Sequence, residues 1–317
     1  MIPQRLNNSR AFMEKHDLYA LIIPSSDPHL SEYPASHWAS REWISGFTGS
    51  AGTIVITRDK AGLWTDSRYF LQAEQELKGS GIDLFKDGLL TTPTYTEWLI
   101  QELQQGNTVG IDGNVFSAKE ALALKTNLGA EGINLQSELD PFDSIWNDRP
   151  EIPTNPIFTL PLEFSGKSAG EKINEIRSFL KTKRLDSILI ATLDTVAWLF
   201  NIRGNDVKCN PVAVGYAYIS QSEAILFINP KKITHEVRSE LGKEGVILGE
   251  YYKTFDFVKS KNAERICITS NKLSFALYNA IPKTSVIVDI PSPIDLMKSK
   301  KNEVEAEGFR NAMQRDG

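Results

Sequence analysis

The chain has 317 residues, of which 41% are hydrophobic and 24% charged, a composition typical of a folded globular protein with about two domains. A net charge of -5 without a long basic run argues against a nucleic-acid partner, and no apolar run approaches the roughly 18 residues of a membrane span. The amino end lacks the apolar stretch of a secretion signal, so the sequence predicts a cytoplasmic protein with no membrane partner.

The first half alternates helical and strand-like patterns, which predicts a mixed α/β domain. A long polar loop leads to Thr53–Thr57 and Ala61–Thr65, whose short polar connection predicts a β-hairpin. Ser117, three residues before a glutamate, predicts the capped start of a helix. The predicted helices are Arg5–His16, Tyr69–Leu77, Thr94–Leu103 and Ser117–Leu128, and the other predicted strands are Tyr19–Ile23, Thr108–Ile111 and Ile133–Leu135.

Prolines recur every few residues between Asp148 and Ser165, which predicts an extended linker that is not helical. The α/β pattern then restarts with Ser168 and Glu171, whose spacing predicts a capped helix running to Lys181. The second half also predicts a helix at Thr234–Leu241 and strands at Ser187–Ala191, Ala213–Ile219, Ala224–Ile228, Val246–Leu248, Arg265–Thr269 and Val286–Val288.

The two halves resemble each other. Trp43–Gly49 corresponds to Trp198–Gly204, and each segment follows an apolar strand and precedes a hairpin. The hairpin Thr53–Trp64 corresponds in the same way to Gly215–Phe227. A repeat of this length predicts two domains of one fold, each with its own core.

The last segment, Lys298–Gly317, begins a further element. Asn302 and Glu305 have the spacing of a capping box. Apolar residues then recur on one side of the predicted helix, at Val304, Phe309 and Met313. Because a helix of about four turns is not stable alone, we expect its partner surface to lie outside this sequence or in another chain.

Metal and disulfide chemistry find little support in the residue types. Cys209 and Cys267 are far apart and are interpreted as core or strand residues, so neither a disulfide framework nor a cysteine zinc site is expected. The four histidines do not pair at helical metal-ligand spacing, and no serine has the context of a hydrolytic triad. The acidic residues nominate no set of metal ligands, although pairs of them are harder to exclude.

The glycine-rich stretch Gly46–Gly52 precedes a strand, whereas a phosphate-binding loop follows a strand and opens a helix. The order favours a structural turn. Arg68, after the hairpin, lies in the first turn of a predicted helix and therefore needs an anionic partner. It either clamps a ligand carboxylate or forms a surface ion pair with Asp66 or Glu74.

A second polar loop contains Asp194, Arg203 and Asp206. These groups could line a polar pocket. The favoured interpretation is that Asp194 caps the short helix carrying Trp198, and that Asn205 or Asp206 makes a turn.

Several segments together resemble the amino-terminal two-thirds of the long, three-domain Xaa-Pro aminopeptidases, also called aminopeptidase P. They are spread over nearly the whole chain, which makes the resemblance more specific than any single loop. The segments are Ile23-Pro-Ser-Ser-Asp-Pro-His29 with Ser31-Glu-Tyr33, Ser45-Gly-Phe-Thr-Gly-Ser-Ala-Gly-Thr53, Trp64-Thr-Asp-Ser-Arg-Tyr-Phe70, Ile145-Trp-Asn-Asp-Arg-Pro150, Leu193-Asp-Thr-Val-Ala-Trp-Leu-Phe-Asn201 and Arg203-Gly-Asn-Asp206.

The resemblance implies an α/β fold of two tandem creatinase/prolidase N-terminal-like domains, each a mixed β-sheet flanked by helices. It places these domains at residues 1–150 and 151–297, and the start of a pita-bread catalytic domain at 298–317. In that family the catalytic domain holds two divalent metal ions, usually manganese, through two Asp, one His and two Glu. All five ligand positions would lie beyond Gly317, so this chain is expected to hold no metal and to be inactive alone.

The resemblance also implies the substrate and a site residue. The longer enzyme would remove the first residue of peptides that have proline at the second position, and it would be compatible with a homodimer. Arg68 corresponds to the accessory-domain arginine that reaches toward the substrate, so it is the predicted substrate-binding residue. His29 and His37 lie in loops of the same domain and receive no role.

Two other functions remain open. The chain could be a non-catalytic creatinase-like module that binds peptides or proteins. It could also be a complete small hydrolase with unrecognised carboxylate ligands, which predicts metal-dependent cleavage of an Xaa-Pro peptide by these 317 residues alone.

Overall fold

The structure, a computed structural model, describes residues 2–317 and divides into two compact units. The first unit extends to Ile152 and includes Ser274–Ala276. The second comprises Pro153–Leu273 and Leu277–Gly317. Within the described range, no helix combines the length and the apolar character that crossing a bilayer would require.

The first unit is a six-stranded mixed sheet with helices packed against it. Its helices are α1 (Ile2–Lys15), α2 (Ser40–Ser45), α3 (Phe70–Glu76), α4 (Tyr95–Glu102), α5 (Ala118–Ala130) and α6 (Phe142–Ile145). Its strands are β1 (Ala20–Pro24), β2 (Thr53–Thr57), β3 (Ala61–Thr65), β4 (Asp83–Lys86), β5 (Thr108–Ile111) and β6 (Asn134–Gln136). The strand order is β4-β3-β2-β1-β5-β6, with β2 antiparallel to both of its neighbours and the other pairs parallel.

The second unit begins with β7 (Phe158–Thr159), which pairs with β9 (Ile202–Arg203). Its sheet strands are β8 (Ser187–Ile190), β10 (Gly215–Ser220), β11 (Ala224–Ile228), β12 (Ile247–Glu250), β13 (Arg265–Ile268) and β14 (Val286–Asp289). The helices are α7 (Leu162–Ser165), α8 (Ala169–Lys183), α9 (Leu193–Leu199), α10 (His235–Lys243), α11 (Thr254–Ser260), α12 (Phe275–Ala280), α13 (Pro293–Ser299) and α14 (Glu303–Asp316).

The predicted internal repeat is confirmed by the strand order. The second sheet runs β12-β11-β10-β8-β13-β14, which is the order of the first sheet when each strand is replaced by its counterpart. In the second sheet β10 is antiparallel to both of its neighbours, β11 and β8, and the other pairs are parallel, as for β2 in the first sheet. Each sheet packs against its own helices around a separate hydrophobic core, as expected for two domains of one fold.

Local signals placed the helix starts well. The side chains of Ser168 and Asn302 accept hydrogen bonds from the backbone N–H groups of Glu171 and Glu305. The side chains of these glutamates accept bonds from the Ser168 and Asn302 backbone N–H groups, so the two predicted capping boxes are present. Ser117 likewise accepts a bond from the Glu120 backbone. Helix α14 therefore forms as predicted, and its apolar side chains Val304, Phe309 and Met313 are 39%, 58% and 70% exposed.

Three local predictions need correction. The linker is helical over Leu162–Ser165, because a proline directly before a helix removes no helical hydrogen bond. The polar loop before the first hairpin contains α2, a six-residue helix whose Ile44 is fully buried. Cys209 is exposed in a turn with a φ of 59°, so only Cys267 is a buried strand residue.

Candidate functional site

Polar residues follow the parallel strands of the first sheet at their carboxyl ends. Doubly wound α/β sheets bind ligands at this edge. Asp66 and Arg68 follow β3, Asp87 follows β4, and Asp112 follows β5. This edge is therefore the first candidate site.

Arg68 is exposed and forms an ion pair with Asp66. Its Nε and Nη2 donate hydrogen bonds to the two Asp66 carboxylate oxygens at 2.9 and 2.8 Å. The hydrogen bonds from Arg68 lower the pKa of the Asp66 carboxyl, and they raise the pKa of the guanidinium in turn. Glu74, the other predicted partner, pairs instead with Lys86 at 2.6 Å.

The turn after β3 fixes the direction of Arg68. Asp66 Oδ1 accepts a bond from the Arg68 backbone N–H at 3.0 Å, so the side chain of Asp66 orders both the turn and the guanidinium. The third guanidinium nitrogen, Nη1, makes no hydrogen bond to residues 2–317. It remains able to donate to a carboxylate or carbonyl of a ligand. The substrate-binding role of Arg68 stays a prediction.

A small cavity of about 240 Å³ lies beside this turn. Its walls include Trp64, Asp66 and Tyr95. The Trp64 indole donates to the Pro93 carbonyl at 2.8 Å, and the Tyr95 hydroxyl donates to Glu120 at 3.1 Å. The aromatic groups of the wall are thus already held by protein partners, and Arg68 is not among the residues that line this cavity.

The glycine-rich loop serves the structure, as its position before a strand predicts. Gly46 ends α2 with a φ of 73°, in the left-handed region that glycine adopts without strain. A Cβ on Gly49 would lie 2.3 Å from the Phe47 ring and 2.8 Å from the Tyr69 ring. The close approach of these rings explains why a glycine occupies this position.

Sequence reasoning missed the residue that holds this loop. The buried Arg41 guanidinium donates to Ser25 Oγ at 2.8 Å and to the carbonyls of Phe47 and Gly49. Burial lowers its pKa to about 10. An arginine near a glycine-rich loop was the only available signal, because its partners are backbone groups that no motif encodes.

In the second unit, the predicted helix cap at Asp194 is wrong. Thr192 is the N-cap of α9, and Asp194 lies inside the first turn, where it forms an ion pair with Lys298. Although burial acts to raise it, the pKa of Asp194 is held below its ordinary value by the hydrogen bond and charge of Lys298. Asp206 lies at a bend, and its buried side chain pairs with Lys232.

Arg203 does line a cavity, but Asp194 and Asp206 do not contribute to it. The cavity has a volume of about 880 Å³ and is walled by α7, α9 and α14. The Trp198 indole donates to Glu305 at 3.2 Å, and the Lys172 ammonium lies 4.2 Å from the Trp198 ring. Burial lowers the pKa of Lys172 to about 8. The sequence offered no signal for Lys172, which faces this cavity from α8.

Asp112, which directly follows β5, makes the stability of the first unit depend on pH. Burial, followed by the charge of Asp140, raises its pKa from 3.8 to about 7. Its Oδ1 accepts bonds from the Asn114 backbone and side chain, both at 2.9 Å. Folding therefore binds a proton between these pH values, so this contribution to stability is full below pH 3.8 and is lost as the pH rises through 7.

We expect Asp112→Asn to match the parent protein in stability near pH 4 and to exceed it at pH 8 by up to about 4 kcal/mol. The amide oxygen can still accept the Asn114 bonds without carrying a charge. Thermal unfolding of the first unit, followed across this pH range, measures the difference. Asp148→Asn, at an exposed aspartate, is the control and should change the stability by less than about 0.5 kcal/mol. A constant difference for Asp112→Asn would contradict the assignment.

Comparison with known families decides the affiliation of both units. Residues 5–145 and residues 148–305 each match a family model described as the Creatinase/Prolidase N-terminal domain. The chain belongs to the creatinase/prolidase N-terminal domain family. The predicted fold class, two tandem creatinase-like domains with mixed sheets flanked by helices, is confirmed.

The two creatinase-like domains occur together in the relatives. The chain is 40% identical to a probable Xaa-Pro aminopeptidase P of Talaromyces marneffei over 99% of its length and 49% of that protein. It is 37% identical to Xaa-Pro aminopeptidase 1 of Dictyostelium discoideum, over 99% of this chain and 51% of the relative. The predicted resemblance to this enzyme family is confirmed.

A solved structure shows the same pair of creatinase-like domains. The crystal structure of X-prolyl aminopeptidase from Caenorhabditis elegans, described as a cytosolic enzyme with a di-nuclear active site, matches with a TM-score of 0.92 and 29% identity. The match covers 98% of this chain and 53% of that one. The chain thus spans about half the length of the relatives it matches.

The creatinase-like domains described here do not fit a di-nuclear metal site. Within residues 2–317, no group of three or more His, Cys, Asp and Glu side chains lies close enough together to hold a metal ion. A pair of metal ions needs several such ligands around one cavity. No step of a metal-dependent reaction is therefore assigned to these residues.

Proposed function

We propose that the chain forms the accessory part of a metal-dependent Xaa-Pro aminopeptidase and shapes the access of peptides to its active site. The observation that carries the proposal is the match of 99% of the chain to proteins named as Xaa-Pro aminopeptidases. The C. elegans enzyme, with the same fold over 98% of the chain, supports a cytosolic location and a di-nuclear centre in the longer protein.

In this proposal, residues 1–150 and 151–297 are the two accessory domains, and residues 298–317 begin the catalytic domain. The metal ions, manganese by the family resemblance, are held by the part of the longer proteins that this chain does not match. The chain alone is then inactive. The exposed apolar side chains of α14 are consistent with a helix that contributes to a larger domain.

Arg68 is the proposed substrate contact of the accessory part. Its rigid turn and its unoccupied Nη1 give it a fixed direction and a free donor. A peptide offers carbonyls and a carboxylate that a guanidinium binds. The substrates are peptides with proline at the second position, and the longer enzyme is compatible with a homodimer.

The proposal is tested with the longer protein, manganese and two tripeptides. We expect release of the first alanine from Ala-Pro-Ala, and far slower release from Ala-Ala-Ala. Release from neither tripeptide, with both still bound, would instead favour a non-catalytic module that binds peptides. Release from Ala-Pro-Ala by the 317-residue chain alone would favour a complete small hydrolase.

A further inference from the structure

The internal repeat gives Arg68 a counterpart in the second unit. The hairpins β2–β3 and β10–β11 have three-residue turns and the same pairing, so Trp64 in the first corresponds to Phe227 in the second. Strand β3 ends at Thr65, and Arg68 follows three residues later. Strand β11 ends at Ile228, and Lys231 follows three residues later. The repeat therefore places Lys231 where the first unit has Arg68.

The two cations share the same local geometry. The Arg68 backbone N–H donates to Asp66 Oδ1 at 3.0 Å, and the Lys231 backbone N–H donates to Asn229 Oδ1 at 3.0 Å. Both turns follow a strand at the carboxyl edge of the parallel strands, where α/β sheets bind ligands. The correspondence thus includes the turn as well as the position in the repeat.

The chemical difference lies in the residue that makes the turn. Asp66 is a carboxylate and neutralises Arg68 through two hydrogen bonds. Asn229 is a neutral amide, and the exposed Lys231 forms no ion pair with any residue from 2 to 317. The neighbouring strand ends in Glu250, which also makes no ion pair with Lys231. The positive charge of Lys231 is therefore available to an external anion.

The turn is held rigidly by the residue that follows Lys231. Lys232 is buried, and its ammonium donates to both carboxylate oxygens of Asp206, at 2.6 and 2.5 Å. The Lys232 carbonyl also accepts a bond from the Ile157 backbone at 3.0 Å. A fixed backbone reduces the conformational entropy lost when the lysine binds a ligand.

We propose that Lys231 binds the carboxylate of a peptide substrate and is the second unit's equivalent of Arg68. The inference rests on the proposed peptide substrate, but it concerns binding and not cleavage. A terminal carboxylate is the anion that every unmodified short peptide carries. An ammonium on a preorganised turn binds it through a charge-assisted hydrogen bond.

The test is an NMR titration of the isotope-labelled chain with Ala-Pro-Ala and with its C-terminal amide. We expect the free acid to shift the Lys231 backbone signal and to bind at least threefold more tightly than the amide. Lys231→Met should remove this preference, and Lys231→Arg should retain it. Lys259→Met, at an exposed lysine of α11 that makes no ion pair within residues 2–317, is the control and should leave the preference unchanged.

Asn229→Asp is the second variant, because it keeps the turn and supplies the carboxylate that Asp66 provides in the first unit. We expect it to reduce the affinity for the free acid, but by less than Lys231→Met does, because a paired ammonium keeps a free N–H donor. Equal affinity for the acid and the amide in the parent chain, or an unchanged preference in Lys231→Met, would overturn the proposal. Hydrolysis of Ala-Pro-Ala by the longer protein is measured in a separate assay. Loss of hydrolysis would contradict the proposed function, whereas loss of the preference for the free acid would contradict the role of Lys231.

Discussion

Asp206→Ala is expected to destabilise the second unit by about 3–5 kcal/mol, because it leaves the Lys232 ammonium buried without its counter-charge. The side chains of Lys232 and Asp206 are 1% and 0% exposed. Burial lowers the pKa of Lys232 against the opposing effect of Asp206. Asp206 also accepts a bond from the Val214 backbone at 2.6 Å, and this bond is lost as well. Calorimetry of the unfolding of the second unit measures the change.

The matched control is Asp256→Ala, which breaks an ion pair with Lys253 whose two side chains are both 67% exposed. We expect this variant to cost less than about 1 kcal/mol, because water screens an exposed pair. Combining Asp206→Ala with Lys232→Met should recover part of the lost stability by removing the buried charge. A similar small effect for Asp206→Ala and Asp256→Ala would show that the buried pair does not hold the second unit together.

Arg68→Ala in the longer enzyme is expected to reduce kcat/KM for Xaa-Pro peptides roughly tenfold, the effect of losing one charge-assisted hydrogen bond to the substrate. The fold should not change, because the Arg68 side chain is 60% exposed and is not part of a hydrophobic core. Steady-state kinetics with Ala-Pro-Ala, together with the unfolding temperature, separates the two effects.

Arg68→Lys and Asp66→Asn refine this result. Lysine keeps the charge but cannot reproduce the planar donor arrangement, so it should recover only part of the activity. Asp66→Asn keeps an oxygen that accepts the backbone bond of the turn while removing the competing charge, and we expect it to preserve or improve substrate binding. If kcat/KM is the same for Arg68→Ala as for the parent enzyme, Arg68 is only a partner of Asp66.

The sequence predicted those parts of the fold that depend on local chemistry. The hairpin Thr53–Thr65 and the helix starts at Ser168 and Asn302 follow from turn residues and capping boxes a few positions apart. Strand β4 and the short helix α2 were missed, because four to six residues with mixed polarity carry no periodic pattern. Tertiary packing determines such elements.

The candidate site was less predictable, because its important contacts join residues far apart in the chain. Arg68 and Asp66 are two residues apart, and their ion pair was among the predicted alternatives. Asp206 and Lys232 are 26 residues apart, and Arg41 binds backbone carbonyls. No spacing rule encodes these contacts. The predicted role of Arg68 in substrate binding rests on the family resemblance and not on the spacing of residues.

Manganese binding by the 317-residue chain, compared with the longer protein, tests the central claim most directly. The account predicts that isothermal titration and elemental analysis find no stoichiometric manganese on residues 1–317, and about two ions on the longer protein, as a di-nuclear site requires. Two tightly bound ions on the 317-residue chain, with hydrolysis of Ala-Pro-Ala that a chelator abolishes, would contradict it.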